Sequence, residues 1–169
     1  MQEVEVKILG INKSELISKL VQLGAKKVFE GEMEISYFDF EDASLRKAGK
    51  IVRLRTKGER AELTLKEKVS KEKMKVNNEF ETLVDSFDAA KKILEKIGLK
   101  EGGQMKKHRI SYSLEDAHFE LDTLPKIPTY LEIEAHSLER VEFFVKKLGF
   151  SMSEAKPWTQ QEVMKHYSK

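Results

Sequence analysis

The chain has 169 residues, enough for one domain with a sizeable core. It is 40% hydrophobic and 36% charged, and 31 Lys and Arg against 29 Asp and Glu leave a net charge of +2, which does not mark a nucleic-acid binder. The absence of cysteine excludes disulfides and thiolate metal sites, no apolar run approaches a membrane span, and the balanced, periodic sequence is not that of a disordered chain.

Residues 2–8 alternate charge and hydrocarbon and predict a strand. They carry no apolar leader stretch, and with the missing cysteines this fits a cytoplasmic protein. Asn12, with Glu15 three residues on, signals a first helix that places Leu16, Leu20 and Leu23 on one face and stops at Gly24. Strands are predicted at 33–40, 50–57, 61–69 and 75–84, with Lys57-Gly58-Glu59 turning a hairpin. The basic connection from Ser70 to Lys75, with Lys71 and Lys73, reads as a mobile, solvated loop. A second helix follows Ser86, carries Phe87, Ala90, Ile93, Leu94 and Ile97 on one face, and stops at Gly98. Strands return at 105–113, 117–123 and 129–136, the first two joined at Leu114-Glu115-Asp116. A third helix follows Ser137, with Leu138, Val141, Phe144, Val145 and Leu148 on one face, and a short fourth follows Thr159, where Glu162 completes a capping box. The pattern predicts an α+β fold: a closed eight-stranded antiparallel β-barrel with helices packed outside, as one domain over residues 1–169.

Charge on one face of nearly every strand is the informative anomaly. Side chains alternate across a strand with period two, so Glu3, Glu5 and Lys7 share a face, as do Arg53 with Arg55, Lys66 with Lys68, Glu79 with Glu81, Lys107 with Arg109, Glu120 with Asp122, and Glu132 with Glu134. In one strand this is the ordinary pattern of a sheet with a wet and a dry face. Across seven strands the shared-face residues are mostly like-charged, and like charges on one face repel unless something of opposite charge lies between them. A barrel that turns this face inward has acidic and basic walls, and its apolar outer face gives the helices a surface to bury.

Such walls suit a metal-chelated polyphosphate. Arg and Lys match phosphate oxygens, and clustered carboxylates match a hard ion such as Mg²⁺ or Mn²⁺. No Walker-type glycine loop or dinucleotide fingerprint is present, so side chains must recognise the phosphates. His118, His136 and His166 have no metal-ligand spacing, His108 falls opposite the charged face, and Trp158 and Phe150 read as core.

In this order the residues resemble the CYTH domains, or triphosphate tunnel metalloenzymes. Glu3-Val4-Glu5-Val6-Lys7 resembles the family's ExExK signature. Tyr37-Phe38-Asp39, Arg53-Leu54-Arg55, Leu63-Thr64-Leu65-Lys66, Glu79-Phe80-Glu81, Lys107-His108-Arg109, Leu121-Asp122 and Leu131-Glu132-Ile133-Glu134 follow, so the likeness runs from residue 3 to about residue 150. The family includes class IV adenylyl cyclases, thiamine triphosphatases, inorganic triphosphatases and fungal-type RNA triphosphatases. The resemblance implies that Glu3, Glu5, Asp122, Glu132 and Glu134 bind the metal. It implies a triphosphate cradle of Arg53, Arg55, Lys66, Lys107 and Arg109, with Lys68 and Lys156 as further candidates. Glu79, Glu81 and Glu120 would support these groups. Lys7 and Tyr37 would be catalytic, resembling a pair thought to activate water, with a depressed Lys7 pKa suiting it as a base.

The activity implied is divalent-metal-dependent cleavage of a nucleoside, thiamine or inorganic triphosphate. The alternatives are a class IV adenylyl cyclase and a non-catalytic polyphosphate or nucleotide sensor; RNA 5′-triphosphate processing has little support in a short, near-neutral chain. The expected partner is a small-molecule triphosphate, with no membrane, no nucleic acid, and a homodimer left open.

Overall fold

The charged and apolar faces read from the sequence become the two sides of a ring of strands in the computed structural model, which describes residues 2–168. Residues 1 and 169, the limits of the expected domain, lie outside the described residues. Among those described, eight strands and five helices run in the order β1 Gln2–Ile8, α1 Lys13–Gln22, β2 Lys26–Asp39, α2 Ser44–Lys47, β3 Lys50–Lys57, β4 Arg60–Ser70, β5 Lys75–Val84, α3 Phe87–Lys96, β6 Lys100–Leu114, β7 Ala117–Leu124, β8 Ile127–Ala135, α4 Leu138–Lys147 and α5 Gln160–Tyr167. The strands close in the spatial order β1-β5-β4-β3-β2-β6-β7-β8, with β8 pairing antiparallel to β1. The predicted α+β barrel with external helices is therefore the fold. No described helix is long and apolar enough to cross a membrane.

Tight turns set the register. β3 and β4 pair from Lys57↔Arg60 inward around Gly58, whose φ of 63° suits a residue without Cβ. β7 and β8 are joined at Pro125-Lys126, with Lys126 at φ 65°, so that Leu124 faces Ile127. β2 and β6 are longer than predicted, extending back to Lys26 and Lys100. The four-residue α2 was not predicted: it follows Ala43 in the left-handed region, without a side-chain cap.

The chain divides into two compact units. One holds residues 2–31, 70–76 and 108–168 of those described. Its core joins Val4, Val6 and Ile8 of β1 to Phe119 and Leu121 of β7, Leu131 and Ile133 of β8, Leu16 and Leu20 of α1, and Val141, Phe144 and Val145 of α4. These are the apolar faces of the alternating strands, covered by helix stripes at i, i+3 and i+4. Asn12 and Ser137 cap α1 and α4 with side-chain oxygens, as predicted. Phe119 and Phe144 meet edge to face, with centroids 5.2 Å apart. The other unit holds residues 32–69 and 77–107, with a smaller core of Phe38, Leu54, Ala61, Ala90, Leu94 and Leu99. There Ala90 and Leu94 of α3 are buried, but Ile93 and Ile97, expected on the same face, are 62% and 64% exposed.

The C-terminal segment joins the first unit. Lys156 exchanges backbone hydrogen bonds of 2.8 Å with Lys7 in both directions, extending the pairing beside β1. The Thr159–Glu162 capping box then starts α5, which buries Val163 against Leu124 and Tyr130, with Trp158 packed beside them. One expectation is corrected here. The Ser70–Lys75 connection is not simply solvated: Met74 is buried in the main core, and Lys71 bonds both oxygens of Glu162 at 2.6 Å.

Replacing Phe144 with Ala should destabilise the protein by about 3–5 kcal/mol, read as a lower urea midpoint, because it removes a fully buried ring. Burial pushes the Glu162 carboxyl up, but Lys71 and the Thr159 donors outweigh it and hold its pKa at about 2. Its contribution to docking α5 is therefore complete above about pH 4.5 and lost as pH falls towards about 2. Emission of Trp158, the single tryptophan, should shift across that window, and Glu162→Gln should remove the transition.

Candidate functional site

The inward faces of the strands are charged, and each unit carries its own cluster. In the unit with β1, β7 and β8, Lys7 is 2% exposed. Its Nζ donates to Glu5 at 2.8 Å and lies 2.5 Å from Glu132. The same Glu5 oxygen accepts from Lys75 at 2.9 Å. Arg109 donates in bidentate fashion to Asp122 at 2.6 and 2.7 Å, and lies 3.6 Å from Glu120 and 3.8 Å from Glu132. Ser111 donates to Glu120, and the Tyr130 hydroxyl donates to Asp122 at 3.4 Å. Antiparallel register creates this cluster: Lys7 stands opposite Glu132, Arg109 opposite Asp122, and Ser111 opposite Glu120.

In the other unit, β3 supplies Arg53 and Arg55, and β4 supplies their direct partners Thr64 and Glu62. Arg53 donates to Thr64 at 3.2 Å and to Glu79 at 3.3 Å; Lys66 lies 2.5 Å from the second Glu79 oxygen. Arg55 donates through Nε to Glu62 and lies 3.6 Å from Glu81. Lys107 of β6 is buried at 4%. β2 breaks the charged pattern, since its inward positions are the buried Met33 and Ile35 and the half-buried Tyr37.

The charges explain the protonation states. Burial draws the Lys7 pKa down, but Glu132 and Glu5 together outweigh it and hold it above the usual lysine range. The expected depressed lysine base is thus corrected: although Lys75 shares Glu5 with it, the carboxylates of Glu132 and Glu5 dominate its surroundings and favour the charged form. Burial also opposes the charge on Arg109, and Asp122 and Glu120 more than restore it. Glu62 is pushed up by burial and pulled down further by Arg55 and Lys57, to about 2. Burial and the neighbouring Glu62 raise Glu81. Burial, then Asp122, raises the Tyr130 hydroxyl.

Other sequence candidates lie as follows. Tyr37 stands opposite Arg53, with its hydroxyl 4.0 Å from Met105 Sδ. Lys68 is exposed, unlike Lys66. Lys156 turns its Nζ back to the Ser153 carbonyl at 2.8 Å, so its backbone joins β1 while its side chain does not join the cluster. Glu3 and Glu134 are half-buried. Asp39, part of the quoted Tyr37-Phe38-Asp39 run, accepts backbone N–H groups from Phe40, Leu45 and Arg46 and shapes the turn into α2. Sequence reasoning missed Glu62 and Lys75. Glu62 continues the Thr64-Lys66 face by two residues, and Lys75 sits two and four residues before Asn77 and Glu79, so the same alternation held both signals.

A metal was implied by the resemblance, and the residues fit one by their chemistry. The register sets Glu5 opposite Glu134 and Glu120 opposite Glu132, carboxylate facing carboxylate with no imidazole or thiolate in the set. Such oxygen donors suit a hard divalent ion. Among the described residues no three acidic or histidine groups converge on one point; Lys7, Lys75 and Arg109 supply the counter-charge.

The CYTH domain profile matches residues 1–159. A candidate adenylate cyclase of Methanocaldococcus jannaschii is 27% identical over 134 residues, covering 79% of this chain and 77% of its own. The structure of a candidate adenylate cyclase from Vibrio parahaemolyticus superposes with a TM-score of 0.82 at 20% identity, over 96% of this chain and 97% of that one. A candidate adenylyl cyclase of Hippeastrum, described as having a dominant triphosphatase activity, superposes with a TM-score of 0.67 at 16% identity, over 98% and 95% of the two chains. With the profile spanning the strands that carry both clusters, the chain belongs to the CYTH domain family.

Proposed function

We propose that this chain acts as a single CYTH-type domain that binds a triphosphate on the inward face of its barrel and cleaves it with a divalent ion. The observation that carries the reading is the buried cation set: Lys7, Lys107 and Arg109 are 2%, 4% and 6% exposed, and Arg53, Arg55 and Lys66 have side chains 12–13% exposed. Burying ion pairs is a poor route to stability, because desolvation offsets much of the attraction. Holding guanidinium and ammonium groups dry and oriented is, however, what a polyphosphate site needs.

In this reading Arg53, Arg55, Lys66, Lys107 and Arg109 take phosphate oxygens. Lys7 acts as a cation that hydrogen-bonds the reacting end, and Tyr37 orients the attacking water. Glu3, Glu5, Asp122, Glu132 and Glu134 are the residues that would hold the ion, with Glu79, Glu81 and Glu120 balancing the basic wall. A bound Mg²⁺ or Mn²⁺ would supply Lewis-acid charge against the phosphate oxygens. Water adds to the terminal phosphorus as the bond to the bridging oxygen breaks, and the cations offset the charge on the departing diphosphate. The cyclase reading is favoured by the name of the Methanocaldococcus relative; there the ribose 3′-hydroxyl attacks the α-phosphorus and pyrophosphate leaves.

Purified protein with Mg²⁺ or Mn²⁺, offered ATP, thiamine triphosphate and tripolyphosphate in parallel, should release orthophosphate. Cyclic AMP with pyrophosphate would establish the cyclase instead, and binding without turnover would establish a sensor. Activity should fall to background in EDTA and return with Mg²⁺ or Mn²⁺; activity indifferent to EDTA would contradict the metal. Arg55→Ala and Glu132→Gln should each lower turnover by about 100-fold or more while circular dichroism stays native. Wholesale unfolding of both would make these residues structural.

A further inference from the structure

Arg55 is held by two carboxylates of unequal kind. Glu62 stands directly opposite it across β3 and β4 and is 0% exposed. One Glu62 oxygen accepts from Arg55 Nε and lies 3.8 Å from Arg53, and the other accepts from Lys57 at 2.6 Å. Glu81 lies 3.6 Å from Arg55 Nη2, and its side chain is 37% exposed. A guanidinium bonded through Nε keeps its plane fixed and turns its Nη edge to a second partner, here Glu81. An entering anion can exchange with the solvent-facing Glu81, whereas the sealed Glu62 stays in place.

We infer that Glu62 is a positioning residue, whose buried carboxylate clamps Arg55 at Nε and presents the Nη edge to a phosphate that displaces Glu81. The inference rests on the triphosphate reading for its ligand but not for the clamp itself. It adds to the phosphate site a residue outside the motifs that carry the family resemblance. A carboxylate that merely neutralised Arg55 and Lys57 would act through its charge; a clamp acts through its geometry, and the two separate experimentally.

The test uses the full chain, with two readouts: the ¹⁵N-resolved Arg55 Nε–H resonance, assigned through Arg55→Lys, and calorimetric titration with tripolyphosphate. In the wild type the Nε–H signal should be sharp and slow to exchange with solvent. Glu62→Gln should broaden it and weaken tripolyphosphate binding roughly tenfold, the scale of re-immobilising one long side chain. Glu62→Asp keeps the charge on a shorter stem; it should fold even where Glu62→Gln does not, and should show the same broadened signal and weaker binding. Full wild-type affinity in Glu62→Asp would reduce the role to charge and overturn the proposal. In an Arg55→Ala background Glu62→Gln should change affinity less than about twofold, and an undiminished loss there would also overturn it. If the wild type binds neither tripolyphosphate nor ATP, the triphosphate reading fails. The Nε–H signal still decides the clamp: unchanged sharpness in Glu62→Gln and Glu62→Asp refutes it.

Discussion

A strand that is charged on one side and hydrocarbon on the other cannot bury both sides in an open sheet without leaving its charges against packed apolar neighbours. Here the conflict is resolved by closing the sheet and putting the hydrocarbon outside. Val4, Val6 and Ile8 pack outward with Val141, Phe144 and Val145 of α4, while Glu5 and Lys7, from the same strand, point the other way. All five of these β1 residues from Val4 to Ile8 are buried, so the strand is enclosed on both faces by opposite chemistries. The helices are needed because the outer face of the ring is the one that must be kept from water.

Closure raises an electrostatic problem that register solves. Buried ions tolerate their environment only when paired and hydrogen-bonded. Direct cross-strand placement supplies the partners: Lys7 with Glu132, Arg109 with Asp122, Arg55 with Glu62. A one-residue slip would carry each of these groups to the outer face and break every pair at once, so the ionic register and the apolar register enforce each other. Some like-charged pairs remain, notably Glu5 with Glu134 and Glu120 with Glu132, and these are the positions where an external cation has most to offer.

Most of this was legible in the sequence because both signals have period two. Runs such as Glu3-Val4-Glu5-Val6-Lys7 specify a strand and its two faces together, and the Ser, Thr and Asn caps fix where helices begin. The unread parts lack such signals. Residues 26–32 and 100–104 are largely exposed, with glycines at 31, 102 and 103, so no face is marked as buried, and the extensions of β2 and β6 depend on pairing with neighbours. In α3, Ile93 and Ile97 are as apolar as Leu94 but lie to one side of the stripe that meets the small core. Glu62 escaped notice because it begins a hairpin arm, where a charge is usually solvated; only its cross-strand partner reveals that it is sealed. The Lys7 pKa was misjudged because sequence gives the charges on a strand but not which neighbours end up nearest.

The inverted arrangement also separates what can drift over generations from what cannot. Lys107 and His108 are adjacent in the chain, yet one belongs to the ionic interior and the other points towards the outside of the wall. Substitution inside the ring meets other polar groups and leaves the helix-to-strand packing alone, so the ionic lining can change through a few exchanges of side chain while the shell persists. Lineages built on this plan can therefore diverge in chemistry without passing through an unfolded ancestor.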